Sequence, residues 1–317
     1  RLDPDHDNAT AALEWSEVHA PLLFCRLAAN WARYWHVRQR DADALRWLES
    51  GLRQPDVNQA QRCLMILPLI EFHTKTGSLD LARRLCEEGI LISAQVDDRY
   101  LLPRLISSVA WIERSAGDCE AARDRFVEAV ELARGLESGL PSLLGDLGEC
   151  ELALGELAAG RRHMAEGRAA ADASGDSRIS LCSRIGFGHL DRYQGNLESA
   201  NEALLEAIDL SLAQGNRFLL AEAVRALSFL TAAVGVAENA IRLRAAADAM
   251  VREAGASFDP WPFDQEGERL VEDARATLGL DRSQALVGEG TALSLDEILA
   301  LARSLVLSPR QSVSIVQ

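Results

Sequence analysis

Apolar and polar positions alternate along most of the chain with the 3.6-residue period of amphipathic helices. A short glycine-containing motif occurs five times, each time between two such helical patterns. The motifs are GSLDLA from Gly77, GDCEAA from Gly117, GELAAG from Gly155, GNLESA from Gly195 and GVAENA from Gly235. Their glycines recur every 38 to 40 residues, which predicts stacked helix hairpins, each turning at its glycine.

Small residues mark one face of the second helix of each hairpin. They lie five positions after the turn glycine (Ala82, Ala122, Gly160, Ala200, Ala240) and seven further on (Gly89, Ala129, Gly167, Ala207, Ala247). A bulkier residue stands between them in most units (Cys86, Phe126, Met164, Leu204). Small side chains let helices approach closely and the bulkier ones fill the gap. A degenerate earlier unit, with Gln39 in place of the glycine, brings the number of hairpins to six.

This arrangement resembles the tetratricopeptide repeat over about residues 20–255. The period is longer than the roughly 34 residues of the ordinary repeat, and the tyrosine usual late in its first helix is missing. We therefore expect an all-α, right-handed solenoid of about six tetratricopeptide-like hairpins, followed by C-terminal capping helices.

The same pattern predicts the organisation of the chain. Residues 1–20 are predicted to form an entry helix, and residues 21–257 to form the repeats. Residues 258–306 form capping helices at about Gln265–Leu280 and Leu295–Leu305, with GEG at Gly288 in a loop. Residues 307–317 form a linker.

Aromatic residues cluster at two places. Trp15, Trp31, Trp35 and Trp47 are predicted to pack in a local core around the first unit. The stretch DPWPFD, from Asp259 to Asp264, carries two prolines and two aromatics that look exposed, and is predicted to be a loop closing the last repeat. Docking of a partner on this loop is the alternative.

Charge limits the classes of partner. The net charge is −15 and the pI about 4.9, so we expect no binding of nucleic acid or of an anionic membrane through this segment. The longest apolar run, CLMILPLI, is too short to span a bilayer. Six scattered cysteines fit reduced thiols, and no secretory signal is present, so we expect a cytoplasmic protein.

Catalytic and metal-binding patterns are absent from the sequence. It contains no phosphate-binding G-x-x-x-x-G-K-[ST], no G-x-S-x-G and no H-E-x-x-H, and its six histidines lack the spacing of metal ligands. We predict no catalytic residue, no metal site and no cofactor in this segment.

The concave face built by the first helices of the hairpins is the surface that the repeat predicts for binding. Arginine, histidine and aromatic side chains recur there, which favours an anionic small molecule or an acidic peptide as ligand. The candidate residues are Arg33, His36, Trp111, Arg114, His189, Arg192, Tyr193, Arg225 and Phe229. The alternative is that they form ordinary solvated faces, with salt bridges and packed aromatics within the repeats.

Both ends of the chain carry a more specific resemblance. DHDNATAALEWS, from Asp5 to Ser16, is similar to the segment that joins a nucleotide-binding module to helical repeats in the signal-transduction ATPases with numerous domains (STAND). The resemblance is to the branch of LuxR-type transcriptional regulators similar to the maltose-regulon activator. GEGTALSLDEILALA, from Gly288 to Ala302, resembles the segment that closes those arrays, and Ser294 with Glu297 predicts a capping box. LSPR at Leu307 looks like the opening of their helix-turn-helix domain.

What this resemblance implies is a sensor region that binds a small-molecule effector or a protein or peptide partner, with self-association also open. It would control an ATP-binding module and a DNA-binding module outside this segment, so ATP is implied for the longer protein alone. The alternative from another class is a stand-alone helical-repeat scaffold or adaptor.

Overall fold

A computed structural model of the chain describes residues 6–38, 40–54, 57–96, 98–136, 139–254, 258 and 261–305. Every regular element within those ranges is an α-helix. In chain order they are α1 (His6–His19), α2 (Pro21–Val37), α3 (Asp41–Leu52), α4 (Gln59–Lys75), α5 (Leu79–Ser93), α6 (Leu101–Ser115), α7 (Cys119–Ala133), α8 (Leu140–Ala153), α9 (Leu157–Ser174), α10 (Ser177–Tyr193), α11 (Leu197–Gln214), α12 (Arg217–Ala233), α13 (Ala237–Glu253), α14 (Asp264–Leu278), α15 (Leu280–Thr291) and α16 (Leu295–Arg303). None of these helices is long and apolar enough to cross a membrane.

The predicted all-α repeat of six hairpins is confirmed by this order of elements. Five hairpins turn at the expected glycines, whose φ angles are positive, from 77° at Gly195 to 90° at Gly117. An L-residue rarely adopts such a conformation, and a Cβ at any of the five glycines would meet no atom within 4 Å. The backbone angle, and not crowding, therefore explains the repeated glycine. Gln39, at the turn of the degenerate hairpin, lies outside the described residues.

The small positions are packed as predicted. Ala82, Ala122, Ala200 and Ala240 are fully buried. Where the facing residue is glycine the helices approach still more closely, since a Cβ built on Gly188 of α10 would lie 2.4 Å from Leu204 of α11. Within the repeats, local sequence thus determines the turn of each hairpin and the side of its second helix that enters the core.

The chain divides into two compact units, Arg1–Cys150 and Glu151–Gln317, with the boundary inside α8. In the first unit, apolar clusters run through α1 to α4, α4 to α6 and α6 to α8. In the second unit, one large cluster joins α10 to α13 and takes in α16. Helix α14 packs on α12 and α13, and α15 packs on α13.

Two sequence predictions differ from the structure. Gly288 and Gly290 are not in a loop, because both lie within α15, a helix that the sequence analysis did not predict. Glycine is a poor helix former, but a Cβ at Gly290 would lie 2.4 Å from the Arg242 carbonyl oxygen, so α15 needs glycine there to approach α13. The predicted capping box of α16 is present, with Ser294 and Glu297 in the two roles.

Trp15 is the second difference, since it is 56% exposed and stacks on His19 instead of entering the core. Leu13, two residues earlier and so on the other side of α1, is the residue that is buried. Trp35 and Trp47 are buried as predicted, and Trp31 is half-buried. Residues 307–317, the predicted linker, lie outside the described residues.

Candidate functional site

The predicted concave-face residues lie on the first helices of four hairpins. Arg33 and His36 are on α2, Trp111 and Arg114 on α6, His189 to Tyr193 on α10, and Arg225 with Phe229 on α12. Within each helix they are spaced by three or four residues, or are adjacent, and residues three or four apart share a face. The two compact units place them in different surroundings.

In the first unit the α2 residues lie near one acidic residue of α4, Glu71. Arg33 is exposed, and His36 Nδ1 lies 2.9 Å from Glu71 Oε1. Desolvation would raise the pKa of the Glu71 carboxyl, but the His36 ring beside it, with the charges of Arg33 and Lys75, holds that pKa below its usual value. These side chains form a mixed-charge patch that is open to solvent at Arg33 and Glu71.

The α6 residues of the first unit pair in the same manner. The Arg114 guanidinium lies 4.7 Å from the centroid of the Trp111 ring, and its Nη1 is 3.7 Å from Glu149 Oε2. Trp111 meets Phe126 edge-on, with ring centroids 5.9 Å apart. The two residues are half-buried and occupied by contacts within the unit, as in the alternative interpretation of this face.

In the second unit the candidate residues are brought together but covered. His189 and Arg192 are 2% exposed, Arg225 is 4% exposed and Phe229 is fully buried, whereas Tyr193 is 41% exposed. The cover is the stretch from Trp261 to Glu266, which precedes and begins α14; we call it the strap. The candidate residues of this unit thus share one face, as the spacing predicts, but the chain returns over that face and covers it.

The strap is held by ion pairs and a main-chain contact. Arg225 Nη1 lies 3.0 Å from Asp264 Oδ2, while its Nη2 lies 2.8 Å from Glu222 Oε2 on its own helix. Arg192 pairs with Glu266 and also donates to the Phe263 carbonyl oxygen at 3.2 Å. Two buried arginines thus hold two carboxylates of the strap.

Aromatic contacts complete this interface. Trp261 stacks on His189 with ring centroids 5.7 Å apart and an interplanar angle of 12°, and Phe263 stacks on Tyr193 at 4.0 Å. Glycines make room for the rings: a Cβ at Gly186 would lie 2.8 Å from Trp261, and one at Gly267 would lie 2.5 Å from Phe229. The predicted loop from Asp259 to Asp264 is therefore not a free surface where it is described. Its residues 259–260 lie outside the described residues.

Several polar atoms of this interface have no hydrogen-bond partner. They are both ring nitrogens of His189, Nε of Arg192 and Oδ1 of Asp264. The His189 Nδ1 to Asp264 Oδ1 distance is 3.8 Å, too long for a hydrogen bond. Burial, with the positive charges of Arg225 and Arg192, lowers the pKa of His189 well below its usual value. Burial also raises the pKa of Asp264, although Arg225 opposes this shift.

Sequence reasoning missed the strap half of this cluster. Trp261, Asp264 and Glu266 were not assigned to the binding face, and neither was Glu222 on α12. The signal was present, because an aromatic and acidic stretch interrupted by proline followed the last repeat of an otherwise regular helical pattern. Nothing in that pattern, however, specified where the stretch folds back.

The second unit also contains a cavity of about 520 Å³ between α11, α12, α13 and the α15–α16 turn. Leu212, Leu220, Met250 and Ile298 form much of its wall, with Ser294 and Thr291 among the polar lining residues. It is large enough for a small apolar molecule. Within the described residues no group of three or more His, Cys, Asp or Glu side chains is arranged to hold a metal ion.

The structure is similar to helical-repeat proteins of known structure. A STAND protein with a tetratricopeptide repeat sensor from Pyrococcus horikoshii aligns with a TM-score of 0.56 and 18% identity, over 84% of this chain and 41% of that one. Aspartyl phosphate phosphatase F from Bacillus subtilis aligns with a TM-score of 0.63 and 13% identity, over 96% of this chain and 76% of that one. The apo form of RapI aligns with a TM-score of 0.50 and 14% identity, over 77% and 90%.

No protein-family model matches the sequence, and curated proteins give no significant match. The chain spans less than half of the length of the STAND protein. At these identities the similarity establishes the fold, and the fold is a tetratricopeptide-like helical repeat.

Proposed function

We propose that this chain is the regulatory, partner-sensing region of a cytoplasmic bacterial transcriptional regulator of the STAND class. In this proposal the helical repeats bind a protein or a small-molecule effector. That event controls an ATP-binding module and a DNA-binding module carried elsewhere on the same polypeptide.

The observation that carries the proposal is the shared fold with a protein whose repeats serve as a sensor. The alignment takes in 84% of this chain but only 41% of the STAND protein, as expected of one region of a larger regulator. The similarity of Asp5–Ser16 to the segment that joins a nucleotide-binding module to such repeats supports the same reading. A net charge of −15 agrees with a region that leaves contact with DNA to another module.

The chemistry of the described residues supports binding and not catalysis. His189, whose pKa is lowered well below its usual value by burial, lies between the rings of Trp261 and Phe229 and is covered by the strap. We propose that the chain has no catalytic role of its own and that any ATP binding belongs to another part of the longer protein. Sensing then requires that the ligand prefer one of two states of the repeats.

The decisive experiment is to determine the coding sequence on both sides of these 317 codons. We expect a phosphate-binding loop upstream and a helix-turn-helix continuing from about Ser308. The longer protein should then hydrolyse ATP, and deletion of this region should change that rate. A start codon directly before Arg1 and a stop codon directly after Gln317 would contradict the proposal and leave a stand-alone scaffold.

A further inference from the structure

The strap covers the face of the second unit that the sequence predicts for binding. It lies across α10 and α12 and uses a short run of side chains: Trp261 against His189, Phe263 against Tyr193, Asp264 on Arg225 and Glu266 on Arg192. Along the strap, two aromatic rings that stack on rings of α10 are thus followed by two carboxylates that pair with arginines of α12 and α10. The strap therefore serves as an internal template for the chemistry of this surface.

Both helices contribute to this surface, α10 with a recess for an aromatic ring and α12 with an aromatic ring between two arginines. Gly186 on α10 leaves the recess that the Trp261 ring fills, and Met164 closes the same recess. The Phe229 ring, fully buried, is flanked by the guanidinium groups of Arg192 and Arg225 at 5.8 and 5.7 Å from its centroid. Arginines fixed against an aromatic ring are preorganised to receive carboxylates.

The strap is an imperfect occupant of this surface. Covering it leaves both nitrogens of His189, Nε of Arg192 and Oδ1 of Asp264 without hydrogen-bond partners. A buried polar atom that loses water without gaining a partner opposes the closed state. In addition, Phe263 has a φ of 71°, a left-handed conformation that is unfavourable for a bulky residue. Both features weaken the closed state relative to an open one.

From these observations we infer that the α10–α12 surface is a peptide-binding site whose external ligand is a partner-protein segment with aromatic residues followed by acidic residues. The segment competes with the strap for Arg192, Arg225 and the recess at Gly186. A partner segment that adopts an unstrained backbone and reaches His189 with a hydrogen-bonding group replaces the strap. This inference rests on the proposed function only in taking the repeats as a protein-binding region, and it specifies the kind of partner.

The competition makes the affinity for an external segment depend on the strap. Because the strap is tethered, it acts at a high effective concentration, so a free peptide of the same sequence binds the intact protein weakly. Weakening the anchors of the strap removes the competitor while His189, Arg192, Arg225 and Phe229 remain in place. The released site then shows its own affinity.

The test uses a fluorescein-labelled synthetic peptide that copies residues 261–271. Binding is measured by anisotropy to the wild-type chain and to the triple variant Trp261→Ala, Phe263→Ala, Glu266→Gln. We expect at least tenfold tighter binding to the triple variant. We also expect at least tenfold weaker binding of a peptide carrying Asn and Gln in place of the residues that copy Asp264 and Glu266. Arg192→Gln added to the triple variant should lose the gain, whereas Arg184→Gln, also on α10 but paired with Glu206, should retain it.

Absence of saturable binding to a folded triple variant, or equal binding of the uncharged peptide, overturns the inference. If the triple variant does not fold, hydrogen exchange decides the matter on the wild-type chain. Excess peptide should raise amide exchange in α14 by displacing the strap, and no change at millimolar peptide would overturn the inference. Loss of peptide binding together with flanking ATPase and DNA-binding modules would leave the proposed function intact, so the two failures are distinguishable.

Discussion

The first-helix faces of the two units follow one repeat pattern and yet end in different states. On α2 the pattern leaves Arg33 exposed and pairs His36 with Glu71, and on α6 it leaves Trp111 and Arg114 half-buried. On α10 and α12, His189, Arg192, Arg225 and Phe229 are buried beneath the strap, and the two arginines pair with its carboxylates. The repeat therefore specifies which side chains share a face, while a segment outside the repeat decides whether that face is open.

The largest difference in stability between the two units is expected when a buried arginine of the second unit is removed. Arg225→Met should lower the free energy of unfolding by about 3–5 kcal/mol, because Glu222 and Asp264 would remain buried without their cation. The matched change in the first unit, Arg33→Met at an exposed position, should alter it by about 0.5 kcal/mol or less. Urea unfolding of both variants provides the measurement. Similar small losses for the two would show that the strap does not bury Arg225 in solution.

Overpacking tests whether the two units share one register. Ala200 and Ala122 occupy the same repeat position and are fully buried, so a tryptophan at either should destabilise by about 1–3 kcal/mol. Glu202→Trp, at an exposed position of α11, is the control and should stay within about 0.5 kcal/mol of wild type. Thermal melts followed by circular dichroism compare the three variants. A neutral Ala200→Trp or Ala122→Trp would contradict the register.

The turn glycines should behave alike in both units. Gly117→Ala and Gly195→Ala force an L-residue to a positive φ with no compensating contact, at a cost of about 1–2 kcal/mol each. Gly288→Ala should act in the opposite direction and stabilise by about 0.5–1 kcal/mol, since Gly288 is exposed within α15 and its Cβ meets open space. Chemical denaturation of the three variants checks the signs, and destabilisation by Gly288→Ala would argue against the α15 helix.

The pH dependence of the free energy of unfolding reports on the covered face, because His189 is buried there. The pKa of His189 is lowered by burial and by Arg225 and Arg192, so the unfolded chain takes up its proton first and stability falls as the pH drops below about 6.5. Trp261 and Asp264 of the strap also face the ring. Between pH 7 and 5.5 the expected loss is about 1 kcal/mol.

His189→Phe should remove this loss. The raised pKa of Asp264 acts in the opposite direction, because the folded chain binds that proton more readily, so the effect of His189 is read as the difference between the variant and wild type. Urea midpoints at the two pH values provide the comparison. Parallel pH dependences of the two proteins would show that folding does not lower the pKa of His189.

Local rules made much of the fold predictable. The positive φ required at Gly195, the small residue at Ala200 and the capping pair Ser294 and Glu297 are each visible within a few residues of sequence. Helix α15 was not predictable in this manner, because Gly290 is required by the main chain of α13 and not by its own neighbours. The residues of the candidate site on α10 and α12 were predictable from helical spacing, as the helices were. The strap residues, from Trp261 to Glu266, were not.

The sequence by itself determined the helices of the repeats, their turns and the face that Arg192, Arg225, His189 and Phe229 share, since these follow from backbone angles and helical spacing. Only the tertiary structure decided that Trp261 to Glu266 lies on that face. The position of the strap depends on contacts between residues more than 30 positions apart, such as Asp264 with Arg225. The free energy of these contacts includes the removal of water from several charges at once. No local pattern encodes that balance, which is why a segment outside the repeat, and not the repeat itself, decides whether this face of the second unit is covered.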